Sequence, residues 1–185
     1  MFIQTEETPN PNSLKFIPGF ALLDTPMDFP NAATAKISPL AARLFAVDGV
    51  EGVFIGKDFI TITKQDQAEW YALKPSLLGS MIEHLLAKKP LILDEIPEES
   101  VQSETVEGTD REIIDQIQEL INSRVRPAVA ADGGDIVFTK FEDGVVFLKM
   151  KGACSGCPSS SATLKSGIEN MLRYYVPEVT EVRAV

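Results

Sequence analysis

The chain has 185 residues, of which 44% are hydrophobic and 8% aromatic, a composition typical of globular proteins. Its 17 basic and 27 acidic residues give a formal net charge of -10, which disfavours binding to nucleic acids or to anionic membrane surfaces. No stretch of the sequence approaches the roughly 18 apolar residues of a membrane-spanning helix. We therefore expect no nucleic acid and no membrane among its partners.

The first residues, MFIQTEETPNPN, contain neither the basic and apolar regions of a signal peptide nor an Arg-rich transit pattern. This N-terminus favours a bacterial cytoplasm, with the mitochondrial matrix after removal of a presequence as the alternative. Both compartments are reducing. The two cysteines of the chain are therefore expected to be redox-active or metal-binding rather than joined in a structural disulfide.

An acidic segment divides the chain. The stretch DEIPEESVQSETVEGTD, from Asp94 to Asp110, has seven acidic residues and no basic one. Such a composition predicts a linker that reaches about 20 Å when flexible. We accordingly predict an N-terminal domain over residues 1–93, an acidic linker over 94–108 and a C-terminal domain over 109–185.

The N-terminal part combines strand and helix patterns. The segments NSLKFIPG and EGVFIGKDFITITK are rich in β-branched and aromatic residues and predict strands, the second segment being broken by a Gly-Lys-Asp turn. SPLAARLFAV predicts a helix with Ser38 as its cap and Pro39 at its first position. PSLLGSMIEHLLAKK predicts a second helix from Pro75, in which His84 is expected to be partly buried or at the surface. TPNPNS, residues 8–13, predicts an ordered turn before the first strand that could serve as a recognition edge.

The C-terminal part predicts a helix, a hairpin and a second helix. Thr109 and Glu112 form a capping box before apolar residues at three- and four-residue steps, and this helix should stop near Pro127. DIVFTKF and VVFLKMKG flank Glu-Asp-Gly and predict a β-hairpin. The second helix should begin at Pro158, and VTEVRAV should form a closing strand. The residues of this second helix that are predicted to face the core are Leu164, Ile168, Met171, Leu172 and Tyr175. The predicted fold is α/β of the α+β kind, with two small domains that each pack a hairpin-containing sheet against helices.

Both cysteines lie in KGACSGCP, with Cys154 on the loop after a strand and Cys157 directly before the helix at Pro158. The helix N-terminus favours a thiolate at Cys157, and Lys149 and Lys151 add positive charge. A pair of thiolates selects soft metals, namely zinc, copper(I) or iron–sulfur clusters. The surrounding Gly, Ser and Pro predict a solvent-accessible surface loop rather than a core position.

Two thiolates are only half of a four-ligand site, and the single histidine, His84, lies in the other domain. The simplest completion is a second copy of the chain across a two-fold axis, which gives a four-cysteine site that opens when the subunits separate. Such a site suits a carrier. The same pair also fits thiol–disulfide exchange, although the alternating strand VVFLKMKG is unlike the buried parallel strand before a thioredoxin-type motif. A thiol–disulfide oxidoreductase is the alternative function.

The segment ADGGD could be a carboxylate pair, Asp132 and Asp135, for a hard metal or for acid–base chemistry. Gly-Gly between a helix end and a strand supplies the positive φ angles that a turn requires, and Asp is common beside such turns. We therefore expect a structural turn here.

The segments RPAVAADGGDI and GACSGCPSSSATLKSGIE resemble the C-terminal domain of NifU-like proteins, the Nfu family of iron–sulfur cluster scaffolds and carriers. The family's cysteine pair falls on Cys154 and Cys157. TPNPNSLKFIPG and WYALKPSLL are similar to the domain that precedes this scaffold in Nfu proteins. No Ser/His/Asp constellation, phosphate-binding Gly loop or general-base candidate near the thiols indicates turnover chemistry, so we expect a non-enzymatic protein without catalytic residues. The resemblance implies a carrier of iron–sulfur clusters. It also implies a [4Fe-4S] cluster held by Cys154 and Cys157 of both subunits of a homodimer, received from upstream cluster assembly machinery and delivered to apo iron–sulfur client proteins.

Overall fold

The computed structural model describes residues 1–93, 109–156 and 158–185. The predicted linker 94–108 and Cys157 lie outside the described residues, so the predictions made for them stay predictions. The predicted fold class is confirmed, because two separate sheets each pack against helices around their own apolar core. Among the described helices, none is both long and apolar enough to cross a membrane.

Within residues 1–93, five antiparallel strands form a sheet in the order β1-β2-β5-β4-β3. The elements are β1 Gln4–Glu7, β2 Ser13–Ile17, β3 Met27–Phe29, a 3₁₀ turn Thr34–Ile37, α1 Pro39–Phe45, β4 Val50–Ile55, β5 Ile60–Lys64 and α2 Trp70–Leu86. Side chains alternate across this sheet. One face packs on the helices and includes Leu14, Phe16, Ile60 and Ile62, whereas the opposite face carries Ser13, Lys15, Thr61 and Thr63.

Of the two N-terminal helices, α1 begins where the sequence predicts and α2 does not. Ser38 caps α1 as predicted, since its Oγ accepts a hydrogen bond from the Ala41 N–H at 3.1 Å. Helix α2 begins at Trp70 rather than at Pro75, which lies inside it. The burial of Leu73 extends the apolar face of the helix by one turn before the proline. His84 is only 1% exposed, with its Nε2 3.1 Å from the Pro90 carbonyl, so it is more deeply buried than expected.

In the described residues from 109 onward, three strands form a sheet in the order β6-β7-β8, in which β6 pairs antiparallel and β8 parallel to β7. The elements are α3 Thr109–Leu120, a π-helical turn Ile121–Val125, α4 Arg126–Ala131, β6 Gly134–Glu142, β7 Val145–Gly152, α5 Pro158–Tyr175 and β8 Glu181–Ala184. The predicted hairpin is confirmed, and Asp143 and Gly144 form its turn with φ angles of 51° and 78°. The closing strand is confirmed as β8.

Two predictions for the C-terminal part are wrong. The first helical segment continues beyond Pro127 to Ala131, because Pro127 falls in the first turn of α4, where a missing N–H costs little. Tyr175 is 45% exposed rather than in the core. Its ring lies against the guanidinium of Arg124, 5.0 Å from the ring centroid, an interaction that is available at a surface.

Candidate metal-binding loop

The candidate site is the loop at the end of β7, described over residues 152–156, and we call it the metal-binding loop after the prediction made for its cysteines. It begins at Gly152, whose φ of +65° turns the chain out of the strand. The Ala153 N–H donates to the Gly133 carbonyl at 3.1 Å, and the Ser155 N–H donates to the Gly152 carbonyl at 3.0 Å. The loop is therefore fastened to Gly133, the residue directly before β6.

Cys154 is buried. Its exposed fraction is 6%, and it belongs to the apolar core of the C-terminal domain. A Cβ atom at Gly134 would stand 2.6 Å from the Cys154 Sγ, so the absence of a side chain at this position makes room for the sulfur. The expectation that Cys154 lies on an accessible surface is therefore wrong, because Gly134, the first residue of β6, lies directly beneath the sulfur. Cys157 lies outside the described residues, and its pairing with Cys154 stays a prediction.

The DGGD segment forms a structural turn, as expected. Arg126 donates to both carboxylate oxygens of Asp135, each at 2.8 Å, and the Ile136 N–H donates to the same carboxylate at 2.9 Å. This pairing raises the pKa of the Arg126 guanidinium above its usual value. Asp132 is exposed and takes no part in the pair. Across the described ranges, no three His, Cys, Asp or Glu side chains are grouped so that they could hold a metal ion.

The N-terminal sheet packs against this loop, a contact that the sequence did not predict. The Asn10 amide donates to the Ala153 carbonyl at 3.2 Å, next to Cys154. The Thr61 hydroxyl donates to the Gly133 carbonyl at 2.6 Å, and the Lys15 ammonium donates to the Ala131 carbonyl at 3.2 Å. Asn10 is 6% and Thr61 1% exposed. The sequence pattern behind this contact is the row of polar residues on the face of the sheet opposite the helices, a pattern that solvent exposure would explain equally well.

Two aromatic residues complete the contact. Phe54 and Phe59 are buried, and their ring centroids lie 5.8 Å apart. A Cβ atom at Gly152 would approach Phe54 Cδ1 to 3.1 Å, so the strand end packs directly on this ring. The Lys15 ammonium lies 4.8 Å from the Phe59 ring centroid. The face that meets the metal-binding loop is therefore both apolar and supplied with hydrogen-bond donors.

A cleft of about 370 Å³ separates the two domains beside this contact. Its N-terminal wall is polar and acidic, with Asn12, Asp28, Glu51 and Asp66, and its C-terminal wall includes Gly152, Ser155 and Gly156. Burial raises the pKa of Asp28 above its ordinary value, while the Gly152 N–H and the charges of Lys151 and Lys149 act in the opposite direction. The two lysines expected to favour a thiolate therefore also lie close enough to act on Asp28.

The donor chemistry of the loop fits a soft metal better than a hard one. Cys154 supplies sulfur, whereas the nearby carboxylate of Asp135 is engaged by Arg126 and is 8% exposed. Gly134 leaves space that the sulfur occupies and that any other residue would fill. Within the described residues, the loop contains one thiol, that of Cys154. A complete four-ligand site needs further cysteines.

Two protein-family models match the chain. The model described as "Scaffold protein Nfu/NifU N terminal" matches residues 3–88. The model described as "NifU-like domain" matches residues 117–183, a range that includes both cysteines. Together these matches cover most of both domains.

Similar proteins carry related names. The human protein named "NFU1 iron-sulfur cluster scaffold homolog, mitochondrial" is 49% identical over 187 residues, which cover 100% of this chain and 72% of the human one. The Drosophila sechellia protein of the same name is 51% identical, and the match covers all of this chain and 65% of the fly protein. The solution NMR structure of a NifU-like protein from Saccharomyces cerevisiae is 29% identical and superimposes with a TM-score of 0.47 over 51% of this chain and 87% of the yeast chain.

Proposed function

The chain belongs to the Nfu/NifU family of iron–sulfur cluster scaffold proteins, and from this premise we propose that it binds a [4Fe-4S] cluster and transfers it to apo-proteins. The observation that carries the proposal is the pair Cys154 and Cys157, which lies inside the segment 117–183 that matches the NifU-like model. The cluster is the cargo of this protein. It is received from an upstream assembly system and passed to client proteins that bind clusters.

The number of ligands determines the proposed assembly. The chain has two cysteines, and a [4Fe-4S] cluster usually takes four thiolates. Two copies of the chain supply four thiolates through Cys154 and Cys157 of each, so the cluster is bound by a homodimer. Separation of the subunits then removes half of the ligands at once. An acceptor with preorganised thiolates can replace the remaining ligands one sulfur at a time.

The alternative function, a thiol–disulfide oxidoreductase, gains no support from the comparisons, since the matched family consists of scaffold proteins. We therefore propose a carrier without turnover chemistry of its own.

The relatives are named as mitochondrial proteins, which supports the mitochondrial matrix, the alternative compartment, and gives no support to the bacterial cytoplasm. We propose the mitochondrial matrix for this chain. Detection of the endogenous protein by antibody in the matrix fraction of isolated mitochondria supports this compartment, and its detection only outside mitochondria contradicts it.

Reconstitution of single-residue variants tests the proposed function. The chain is incubated anaerobically with iron and sulfide, and bound iron, bound sulfide and visible absorbance are measured for the wild type, Cys154→Ala and Cys157→Ala. Both variants should lose stable cluster binding, because two such chains supply two thiolates in total. Ser155→Ala is the matched control within the loop and should bind as the wild type does.

Transfer is measured by adding an apo-enzyme whose activity needs a [4Fe-4S] cluster. The loaded protein should restore its activity faster than free iron and sulfide do. Full cluster retention by either cysteine variant, or a loaded protein that never passes its cluster to a competent acceptor, contradicts the proposal.

A further inference from the structure

The burial of Cys154 conflicts with the function proposed above unless the metal-binding loop moves. An exposed fraction of 6% leaves the sulfur inside the C-terminal core, where an iron atom with its inorganic sulfides has no access to it. The loop therefore has to open before Cys154 can bind a cluster. The contacts that oppose this opening come from both domains.

The N-terminal domain binds the loop and the turn beneath it through separate hydrogen bonds. Asn10 donates to the carbonyl of Ala153, the residue before Cys154. Thr61 donates to the Gly133 carbonyl, which also accepts the hydrogen bond from the Ala153 N–H. Movement of the loop away from Gly134 thus breaks the hydrogen bond from Asn10 to the Ala153 carbonyl. It also breaks the hydrogen bond from the Ala153 N–H to the Gly133 carbonyl, which Thr61 holds in place.

The TPNPN turn, residues 8–12, is folded so that Asn10 faces the loop. The Thr8 hydroxyl donates to the Asn10 carbonyl at 2.8 Å, and the Asn10 Oδ1 accepts the Asn12 N–H at 3.0 Å. With its oxygen engaged inside the turn, the Asn10 amide nitrogen is directed to the Ala153 carbonyl. The turn predicted as a recognition edge therefore contacts a segment of its own chain.

The rest of the docking face is also built for burial. Phe54 is 1% exposed, although it belongs to neither domain core, and it packs on Gly152 at the start of the loop. An aromatic side chain on the solvent face of an isolated sheet would expose a large apolar surface. Its burial here shows that the sheet face and the loop are complementary.

We propose that the N-terminal sheet is a latch: the TPNPN turn and Thr61 hold the metal-binding loop closed with Cys154 inside the C-terminal core, and cluster uptake requires the two domains to separate. This inference rests on the proposed cluster-carrier function. The face of the N-terminal sheet opposite its helices is occupied by the chain's own metal-binding loop. Separation exposes the surface of the loop for the second copy of the chain that supplies the remaining thiolates.

Alkylation of Cys154 tests the latch without any cluster. The full-length chain with Cys157→Ser has Cys154 as its only thiol, and its rate of reaction with N-ethylmaleimide reports the fraction of open loop. Asn10→Ala removes one hydrogen bond to the closed loop and should raise the rate about five-fold. Thr61→Val removes the second bond at nearly constant shape and should raise it by a similar factor of about five.

Two further variants separate the latch from general damage to the domain. Asn10→Asp keeps the oxygen that accepts the Asn12 N–H but places a carboxylate oxygen opposite the Ala153 carbonyl, so its rate should exceed that of Asn10→Ala. Asn12→Ala is the matched control, because Asn12 lies in the same turn and the same cleft but donates to Asp66 of its own domain. Its alkylation rate should equal that of the parent chain. Melting curves verify that each variant is folded.

The latch is refuted if Asn10→Ala, Asn10→Asp and Thr61→Val all react at the parent rate, or if Asn12→Ala reacts as fast as Asn10→Ala. In chains that retain Cys157, Asn10→Ala should speed cluster uptake, and slower uptake would mean that Asn10 supports the loaded site instead. Absence of any uptake by the wild type contradicts the carrier function, whereas the alkylation rates still decide the latch.

Discussion

Gly134 offers a direct test of how the metal-binding loop is packed. A Cβ atom there would lie 2.6 Å from the Cys154 Sγ, 2.8 Å from the Lys151 carbonyl oxygen and 3.2 Å from the Cys154 nitrogen. Two of these three atoms belong to the backbone, which gives way less readily than the end of a flexible side chain. The φ angle of Gly134 is not positive, so the cost of Gly134→Ala comes from crowding rather than from backbone conformation.

The expected magnitude follows from two opposing effects. Overpacking of a well-packed core costs about 1–3 kcal/mol, whereas replacing Gly by Ala restricts the unfolded chain and returns about 0.4–1 kcal/mol. The free energy of unfolding should therefore fall by about 1–2 kcal/mol, which lowers the Tm of a domain of this size by roughly 4–8 °C for each kcal/mol. The sulfur has to leave its position, so alkylation of Cys154 in the Cys157→Ser chain should also accelerate.

Gly167→Ala is the matched control. A Cβ atom at Gly167 meets no atom within 4 Å, and the residue lies inside α5, where Ala is favoured over Gly by up to about 1 kcal/mol. This variant should be more stable than the wild type and should leave alkylation unchanged. Urea unfolding followed by circular dichroism measures both changes. A Gly134→Ala chain with wild-type stability and an unchanged alkylation rate would refute the packing described for Cys154.

Two further predictions concern stability. Asp135→Asn weakens the two-point pairing with Arg126 and should lower the free energy of unfolding by about 1–3 kcal/mol in urea titrations. The decrease should lie toward the lower end of this range, because the Arg126 side chain is 37% exposed. An unchanged midpoint would contradict this role of Asp135. Burial lowers the pKa of His84 below its usual 6.5, so the folded protein keeps this ring neutral and the unfolded chain binds the proton more readily. The contribution of neutral His84 to the free energy of unfolding is complete above about pH 6.5 and is lost as the pH falls below 6.5. His84→Gln, which retains a donor for the Pro90 carbonyl, should flatten the decrease of Tm between pH 7.5 and 5.5, and identical slopes would show that His84 does not cause it.

Local patterns predicted the elements well where one physical rule dominated. Ser38 before Pro39 indicated the start of α1, because its side chain can cap the first turn of a helix. Glu142-Asp143-Gly144 indicated a hairpin, because Asp and Gly accept the positive φ angles of a tight turn. Pro127 misled because a proline ends one helix and begins another equally well. The short strands β1 and β3 were not predicted, since they depend on pairing with β2 and β4 rather than on their own few residues.

The candidate site was only partly predictable. The Cys-x-x-Cys spacing and the DGGD turn were visible in the sequence, yet the burial of Cys154 was not, because it depends on a close approach between Gly134 and the loop. The Gly, Ser and Pro around the cysteines indicated a loop correctly but gave no information about what covers it. The contact from Asn10 joins residues 143 positions apart in the chain, and such distant pairs leave no mark on local periodicity.

We propose that two chains share one cluster through Cys154 and Cys157 of each. Native mass spectrometry of anaerobically reconstituted full-length protein measures the number of chains, irons and sulfides in a single particle, and Mössbauer spectroscopy of the same sample identifies the cluster. We expect a dimer that contains four irons and four sulfides and that dissociates toward monomers when the iron is chelated. A monomer that carries a complete [4Fe-4S] cluster, or a dimer that carries one cluster on each chain, would contradict it.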